Sequence, residues 1–233
     1  MNVIITGATK GIGKAILERF AAQGANIAFC ARTASDVNTL QNQLQHQFPN
    51  QSFIGQAVDM SQKEAVKAFG QVIFDTWKKV DVLINNAGVY IEGWVTEEPE
   101  GTLEKQIETN LYSAYYMTRV ILPAMLPHQQ GHIFNICSIA SQMLYENAHS
   151  YSVSKFAMLG YSKALRKEVK DKGIKVTALL PGATWSAAWG NAPIPTERLM
   201  AATDIAEAVW SAYQMPPTAV IEEMILRPQL GDL

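Results

Sequence analysis

Tyr151 and Lys155 stand four positions apart in the stretch YSVSK. On a helix that spacing puts both side chains on one face. A free tyrosine has a pKa of about 10, too high for efficient proton transfer near neutrality. A neighbouring ammonium stabilises the phenolate and lowers that value. The pair is therefore suited to giving a proton to an oxygen that is gaining negative charge. Ser138, at the end of the upstream run HIFNICS, is placed to hydrogen-bond the same oxygen and orient a carbonyl. Near the start of the chain, TGATKGIG (residues 6–13) sets Gly7, Gly11 and Gly13 between an apolar run and a helical pattern. Glycine permits a tight turn and close approach of a ligand to backbone. The helix N-terminus behind it offers unpaired N–H groups and a positive dipole end, which suit a pyrophosphate. Taken singly, YxxxK is an ordinary helix face and the glycine turn an ordinary strand–helix connection. The position of the turn at the first such junction favours the nucleotide reading.

Those residues need a frame. Short apolar runs at 2–6, 26–30, 52–57, 81–84, 132–137, 174–180 and 219–226 predict seven strands. Helical periodicity predicts helices at about 12–22, 36–47, 61–77, 103–126, 149–172 and 203–213. Strands alternating with helices imply βαβ units. Continuous apolar strands imply burial on both faces, as in parallel sheets. The fold class is α/β: one doubly wound Rossmann-type domain over residues 1–233, with a seven-stranded, mostly parallel sheet and helices on both faces. Ligands of such sheets bind beyond the carboxyl ends of the strands. Residues after the first, second, fourth, fifth and sixth strands therefore converge on one site.

Composition agrees. The 233 residues are 48% apolar and 17% charged, which excludes a mainly disordered chain. Nineteen Lys and Arg against twenty-one Asp and Glu give a net charge of −2. That balance excludes a basic field for nucleic acid or an anionic membrane surface. No apolar run is long enough for a membrane helix, and no signal peptide is expected. The two cysteines, Cys30 and Cys137, form no CxxC and lie in apolar stretches. They read as buried thiols of a cytoplasmic protein, and no metal site is expected.

The motifs together resemble the short-chain dehydrogenase/reductase family. NNAG (85–88) follows the fourth strand, Asn110 falls within the long helix, Ser138 ends the fifth strand, YSVSK follows, and Pro181-Gly182 ends the sixth. They come in the family's order and spacing over nearly the whole chain. The resemblance implies that Tyr151 is the general acid/base, that Ser138 positions the carbonyl, and that Lys155 also binds the nicotinamide ribose. Asn110 would hold a water linking Lys155 to solvent, and the cofactor would supply the hydride. Further cofactor contacts are implied for Thr9, Ile12, Asp59, Met60, Asn86, Ala87 and Gly88, with Asn85 and Ala87 against the adenosine. Asp59 has the rival role of capping a helix. Pro181, Gly182 and either Thr184 or Ser186 would meet the carboxamide. Ser186 stands where the family usually has threonine.

NAD-preferring sites place an acid at the end of the second strand. Here FCART puts Arg32 there, followed by Thr33, while Lys10 precedes Gly11. Both cations suit a 2′-phosphate, so NADP(H) is expected rather than NAD(H). Residues 184–202 are expected to form a segment over the substrate. Tyr90, Trp94, Met143, Leu144, Tyr145, His149, Trp185 and Trp189 would line an apolar mouth or merely pack. The basic helix KALRKEVKDK (163–172) reads as a solvated face with i,i+4 ion pairs. The expected activity is reduction of a small-molecule carbonyl, or its reverse, alcohol oxidation. Alternatives are a 3-oxoacyl-[acyl-carrier-protein] reductase, a catalytically silent NADP-binding regulator, and a disfavoured extended-family epimerase or dehydratase. Relatives commonly pair their two long helices, so a homodimer or homotetramer is expected.

Overall fold

The computed structural model describes residues 1–186 and 194–231. Seven strands form one sheet: β1 (Asn2–Thr6), β2 (Asn26–Ala31), β3 (Phe53–Ala57), β4 (Val82–Asn85), β5 (Gly131–Ile136), β6 (Ile174–Pro181) and β7 (Glu223–Leu226). Their order is β3-β2-β1-β4-β5-β6-β7. Every pairing is parallel, so the sheet expected to be mostly parallel is wholly so. The order reverses at β1, which lies between β2 and β4. That is the switch point at which a crevice opens beyond the strand ends.

Helices cover both faces: α1 (Gly11–Ala21), α2 (Ala34–Gln47), α3 (Lys63–Trp77), α4 (Thr102–Ile107), α5 (Ser113–Ile121), α6 (His149–Val169) and α7 (Ala202–Tyr213). Successive strand side chains point to opposite faces. Val3 and Ile5 therefore join the Phe20, Phe29 and Val209 layer, while Ile4 joins Phe69, Ile73 and Met117 on the other side.

Two expectations need correction. The single helix over 103–126 is broken: α4 passes into a π-helical turn at Glu108–Tyr112 before α5, and 3₁₀ turns follow at Leu122–Ala124 and Leu126–His128. Pro123 and Pro127 open those turns, since proline suits a first helical turn but not a helix interior. The last strand is also shorter than 219–226. Ile221 and Glu222 touch β6 through their carbonyls alone, and ladder pairing starts at Glu223.

β7 is a sheet edge. Lys163 and Arg166 of α6 reach across to Glu223 (2.9 Å) and Glu222 (2.5 Å). The basic helix thus pairs with the neighbouring strand rather than within itself. No helix among the described residues is long and apolar enough to cross a membrane.

Candidate active site

The glycine turn has the geometry of a cradle. Gly7 and Gly11 hold φ of +67° and +55°, a region that disfavours side chains. A Cβ on Gly13 would fall 2.3 Å from the Gly7 carbonyl oxygen and 2.4 Å from Asn86 Nδ2. Asn86 stitches the turn to β4, its Nδ2 donating to the carbonyls of Thr6 and Gly7, each at 2.9 Å. The backbone N–H groups of Asn86 and Ala87 donate to Thr6 Oγ1. Lys10, the N-cap of α1, gives no side-chain cap, so the first N–H groups of α1 keep their free donors. Thr9 is half-buried, and Ile12 packs against the core. Asn85 needs correction: it does not face the crevice. It is the last residue of β4 and is buried, and its Nδ2 donates to Thr118 Oγ1 and Asn135 Oδ1.

At the end of β2, Arg32 and Thr33 are exposed, and Thr33 is the N-cap of α2 without a side-chain cap bond. Lys10 Nζ pairs with Asp36 Oδ2 at 2.8 Å across the mouth between α1 and α2. Asp36 was not singled out from sequence. Asp59 is exposed, and its Oδ1 accepts from the N–H and hydroxyl of Ser61, so it shapes the turn into α3 while one oxygen stays available. Met60 needs a second correction: its side chain lies in the core with its sulfur 3.5 Å from Cys30 Sγ, leaving only backbone for a ligand.

The other half of the crevice lies beyond β4, β5 and β6. Ser138 follows β5, and its Oγ accepts from Ala140 N at 3.1 Å, leaving the hydroxyl proton free to be donated. The 139–141 turn packs against α6, which carries Tyr151 and Lys155. Lys155 is 5% exposed; its Nζ donates to the Ile136 carbonyl at 3.1 Å and lies 5.7 Å from the Tyr151 ring centroid. Two ammonium protons remain for other acceptors. A Cβ on Gly88 would sit 3.6 Å from that nitrogen and 3.2 Å from Asn110 Oδ1.

Asn110 sits in the π turn. Its Oδ1 accepts from Val89 N at 2.7 Å, and its Nδ2 donates to Val89 O and Ser154 Oγ. Ser154 in turn donates to the Tyr151 carbonyl. These ties to a loop and a neighbouring helix account for the extra residue in the turn, a device that recurs at functional sites. Burial pushes the thiols of Cys30 and Cys137 up to about 12, so neither supplies a thiolate near neutrality.

The mouth is lined by exposed apolar groups. Tyr90, Trp94, Met143, Leu144 and Trp185 are all exposed, Tyr145 is half-buried and His149 exposed at the start of α6. Burial, then the charges of Glu92 and Tyr151, raise the Tyr90 phenol above its ordinary value, so it stays neutral. Its ring stands edge-on to Tyr151 at 4.9 Å. Pro181 ends β6, and Gly182 N donates to Leu226 O. Thr184 is buried and donates to Gly182 O, whereas Ser186 Cβ lies 3.7 Å from where a Gly11 Cβ would be. Ser186, not Thr184, therefore overhangs the glycine turn. Trp189 and Pro193 lie outside the described residues.

Two lobes thus meet at the switch point: a glycine cradle with open helix N–H groups, and a Ser–Tyr–Lys–Asn cluster. A dinucleotide fits that surface, because Gly11 faces the open space under Ser186 beside the uncapped start of α1, while bare Gly7 and Gly13 let the turn close on Asn86 and Ala87. Fold and site together define a nucleotide-binding oxidoreductase. Residues 1–194 match the family described as short chain dehydrogenase, and the chain belongs to that family. A sepiapterin reductase of Chlorobaculum tepidum is 30% identical over 239 residues, covering 99% of this chain and 97% of the relative. An alcohol dehydrogenase of Thermococcus sibiricus, solved with 5-hydroxy-NADP, superposes with a TM-score of 0.90 at 26% identity, covering 98% of this chain and 96% of that one. A variant of actinorhodin polyketide ketoreductase, solved with NADPH, gives a TM-score of 0.87 at 26% identity, covering 100% and 97%.

Proposed function

We propose that this chain is an NADP(H)-dependent reductase of small-molecule ketones or aldehydes, able to run in reverse on secondary alcohols. The observation that carries the reading is the convergence of Ser138, Tyr151, Lys155 and Asn110 beside the glycine cradle. The bound nicotinamide would supply or accept the hydride. Ser138 donates its free proton to the substrate oxygen and fixes the carbonyl. Tyr151 gives that oxygen its proton as charge develops on it. Lys155, buried and held by the Ile136 carbonyl, has its Nζ 5.7 Å from the Tyr151 ring centroid and two donors left for ribose hydroxyls. Asn110 frames Lys155; both of its amide protons and one lone pair of Oδ1 are taken, so a relay water would meet its main-chain carbonyl or the second lone pair.

Arg32, Thr33 and Lys10 support NADP(H) over NAD(H), since cations surround the place where NAD-preferring sites carry an acid. The exposed aromatic mouth supports an apolar or aromatic carbonyl substrate. Tyr112 at the end of the π turn, Tyr115 on α5, and Val153 and Phe156 on α6 are exposed, which supports self-association through those helices. The buried free thiols support a reducing, cytoplasmic setting.

The test is a pair of measurements. Fluorescence titration with NADPH and NADH should show tighter binding of NADPH. Tyr151→Phe should bind NADPH as before and lose reduction of 4-nitrobenzaldehyde. Equal binding of both cofactors would remove the cation argument, and an active Tyr151→Phe would remove the proton-donor assignment.

A further inference from the structure

We propose that residues 89–98 form a clasp that positions Tyr151, with Glu98 as its anchor through Ser150; this rests on reading Tyr151 as the proton donor. Helix α6 starts poorly on its own. Its N-cap, Ala148, gives no side-chain bond, and its first turn holds no acid. A helix N-terminus wants an acceptor and a negative charge. Glu98 brings the charge from a different loop and accepts from a side chain of the first turn. The Ser150 hydroxyl donates to Glu98 Oε1, and Ser150 is 1% exposed and immediately precedes Tyr151. Glu98 Oε2 is buried with no hydrogen-bond partner among the described residues. An orphaned carboxylate oxygen is costly to bury. Its place beside the first turn of α6 gives that cost a purpose.

Other contacts close the clasp. Gly93 N donates to Asn147 O at 2.9 Å, in a parallel bridge to Ala148. Asn147 Nδ2 donates to Glu92 Oε1. A Cβ on Gly93 would fall 2.6 Å from Glu98 Cβ, so this position must stay bare for the carboxylate to reach Ser150. At the other end of the segment, Val89 is held by Asn110, and the Tyr90 ring meets the Tyr151 ring edge-on. Tyr151 is thereby gripped at the residue before it and at its ring. Lys155, one turn deeper, is fixed independently by Ile136. Loosening the clasp lets the first turn fray and moves the phenol relative to a fixed ammonium. A misplacement of about 1 Å costs on the order of a hundredfold in rate.

The test uses the full chain with Glu98→Ala, Glu98→Gln, Ser150→Ala and the Glu98→Ala/Ser150→Ala double variant. NADPH affinity, kcat and KM for 4-nitrobenzaldehyde, and amide hydrogen exchange over residues 148–154 are measured. Glu98→Ala should lower kcat about tenfold or more, leave NADPH affinity within about twofold, and speed exchange in the first turn of α6. Glu98→Gln keeps the acceptor for Ser150 and should restore most of kcat. Ser150→Ala should match Glu98→Ala, and the double variant should fall no further, because both remove one contact. The clasp is overturned if both single variants keep wild-type kcat and exchange, if Gln falls as far as Ala, or if the two losses multiply. Should Glu98→Ala fail to fold, Ser150→Ala decides alone by the same readings. Should Tyr151→Phe prove active, the proton-donor reading falls, and exchange still decides the clasp. An inactive Tyr151→Phe beside unaffected clasp variants removes only the clasp.

Discussion

Replacing Gly13 by alanine adds one methyl group where the structure has none to give. The new Cβ would lie 2.3 Å from the Gly7 carbonyl and 2.4 Å from Asn86 Nδ2, against an ordinary contact of 3.4 Å or more. One side of the turn must therefore move by about 1 Å, in an interior that packs like a crystal. Moving Asn86 sacrifices its two bonds to Thr6 and Gly7, worth about 1 kcal/mol each. Overpacking adds about 1–3 kcal/mol. The combined disturbance is about 3–5 kcal/mol, concentrated on the cradle. If half of it is felt in the bound state, NADPH affinity falls by about twelvefold to seventyfold. Fluorescence titration measures that fall, and thermal unfolding measures the loss of stability. Gly24→Ala is the control. Gly24 also has a positive φ, +83°, but open space around it and no place in the crevice. It should lose about 1 kcal/mol of stability with NADPH affinity unchanged. Wild-type NADPH affinity in Gly13→Ala would refute the cradle.

Asp36→Asn should free Lys10 from its exposed ion pair and tighten NADPH binding about twofold to fivefold, with NADH unaffected; titration of both cofactors checks this, and added salt should erode the difference. His132 is buried, and burial first, then the charge of Lys175, pushes its pKa down to about 3 from 6.5. Below pH 6.5 the unfolded chain therefore takes up a proton that the folded chain refuses until about pH 3, and stability falls as pH falls across that window. Near pH 5 the loss is about 2 kcal/mol, and urea titrations of wild type and His132→Gln should differ by that amount of pH dependence. Phe156→Glu on the exposed outer face of α6 should lower the apparent mass in size-exclusion chromatography while NADPH binding persists.

The strands were legible because burial on both faces leaves an unbroken apolar signature, and the glycine turn because its chemistry is local. Asn85 and Asn86 were harder to separate. Strand alternation sends the first inward to Thr118 and Asn135 and the second back to the glycine turn, a distinction fixed by one residue of register. The break at Asn110 was hidden because apolar periodicity runs on through 103–126; the π turn comes from partners at Val89 and Ser154, 21 and 44 positions away. Lys163 and Arg166 looked like a self-paired helix face because only the folded sheet brings Glu222 and Glu223 beside them. Glu98 gave no signal at all, since Ser150 lies 52 positions on.

The charged flank of β7 bears on how the molecule behaves in a crowd. An open sheet edge is a template on which a second chain can lay its own strand. Here that edge is four residues long, and the two glutamates at its start are tethered to Lys163 and Arg166, with Gln142 also donating to Glu223. An arriving strand would have to strip these contacts before it could add a rung. The same arrangement predicts where this resistance ends: with Glu222 and Glu223 both replaced by alanine, the tethers are gone and edge-to-edge growth of the sheet becomes the route to aggregation.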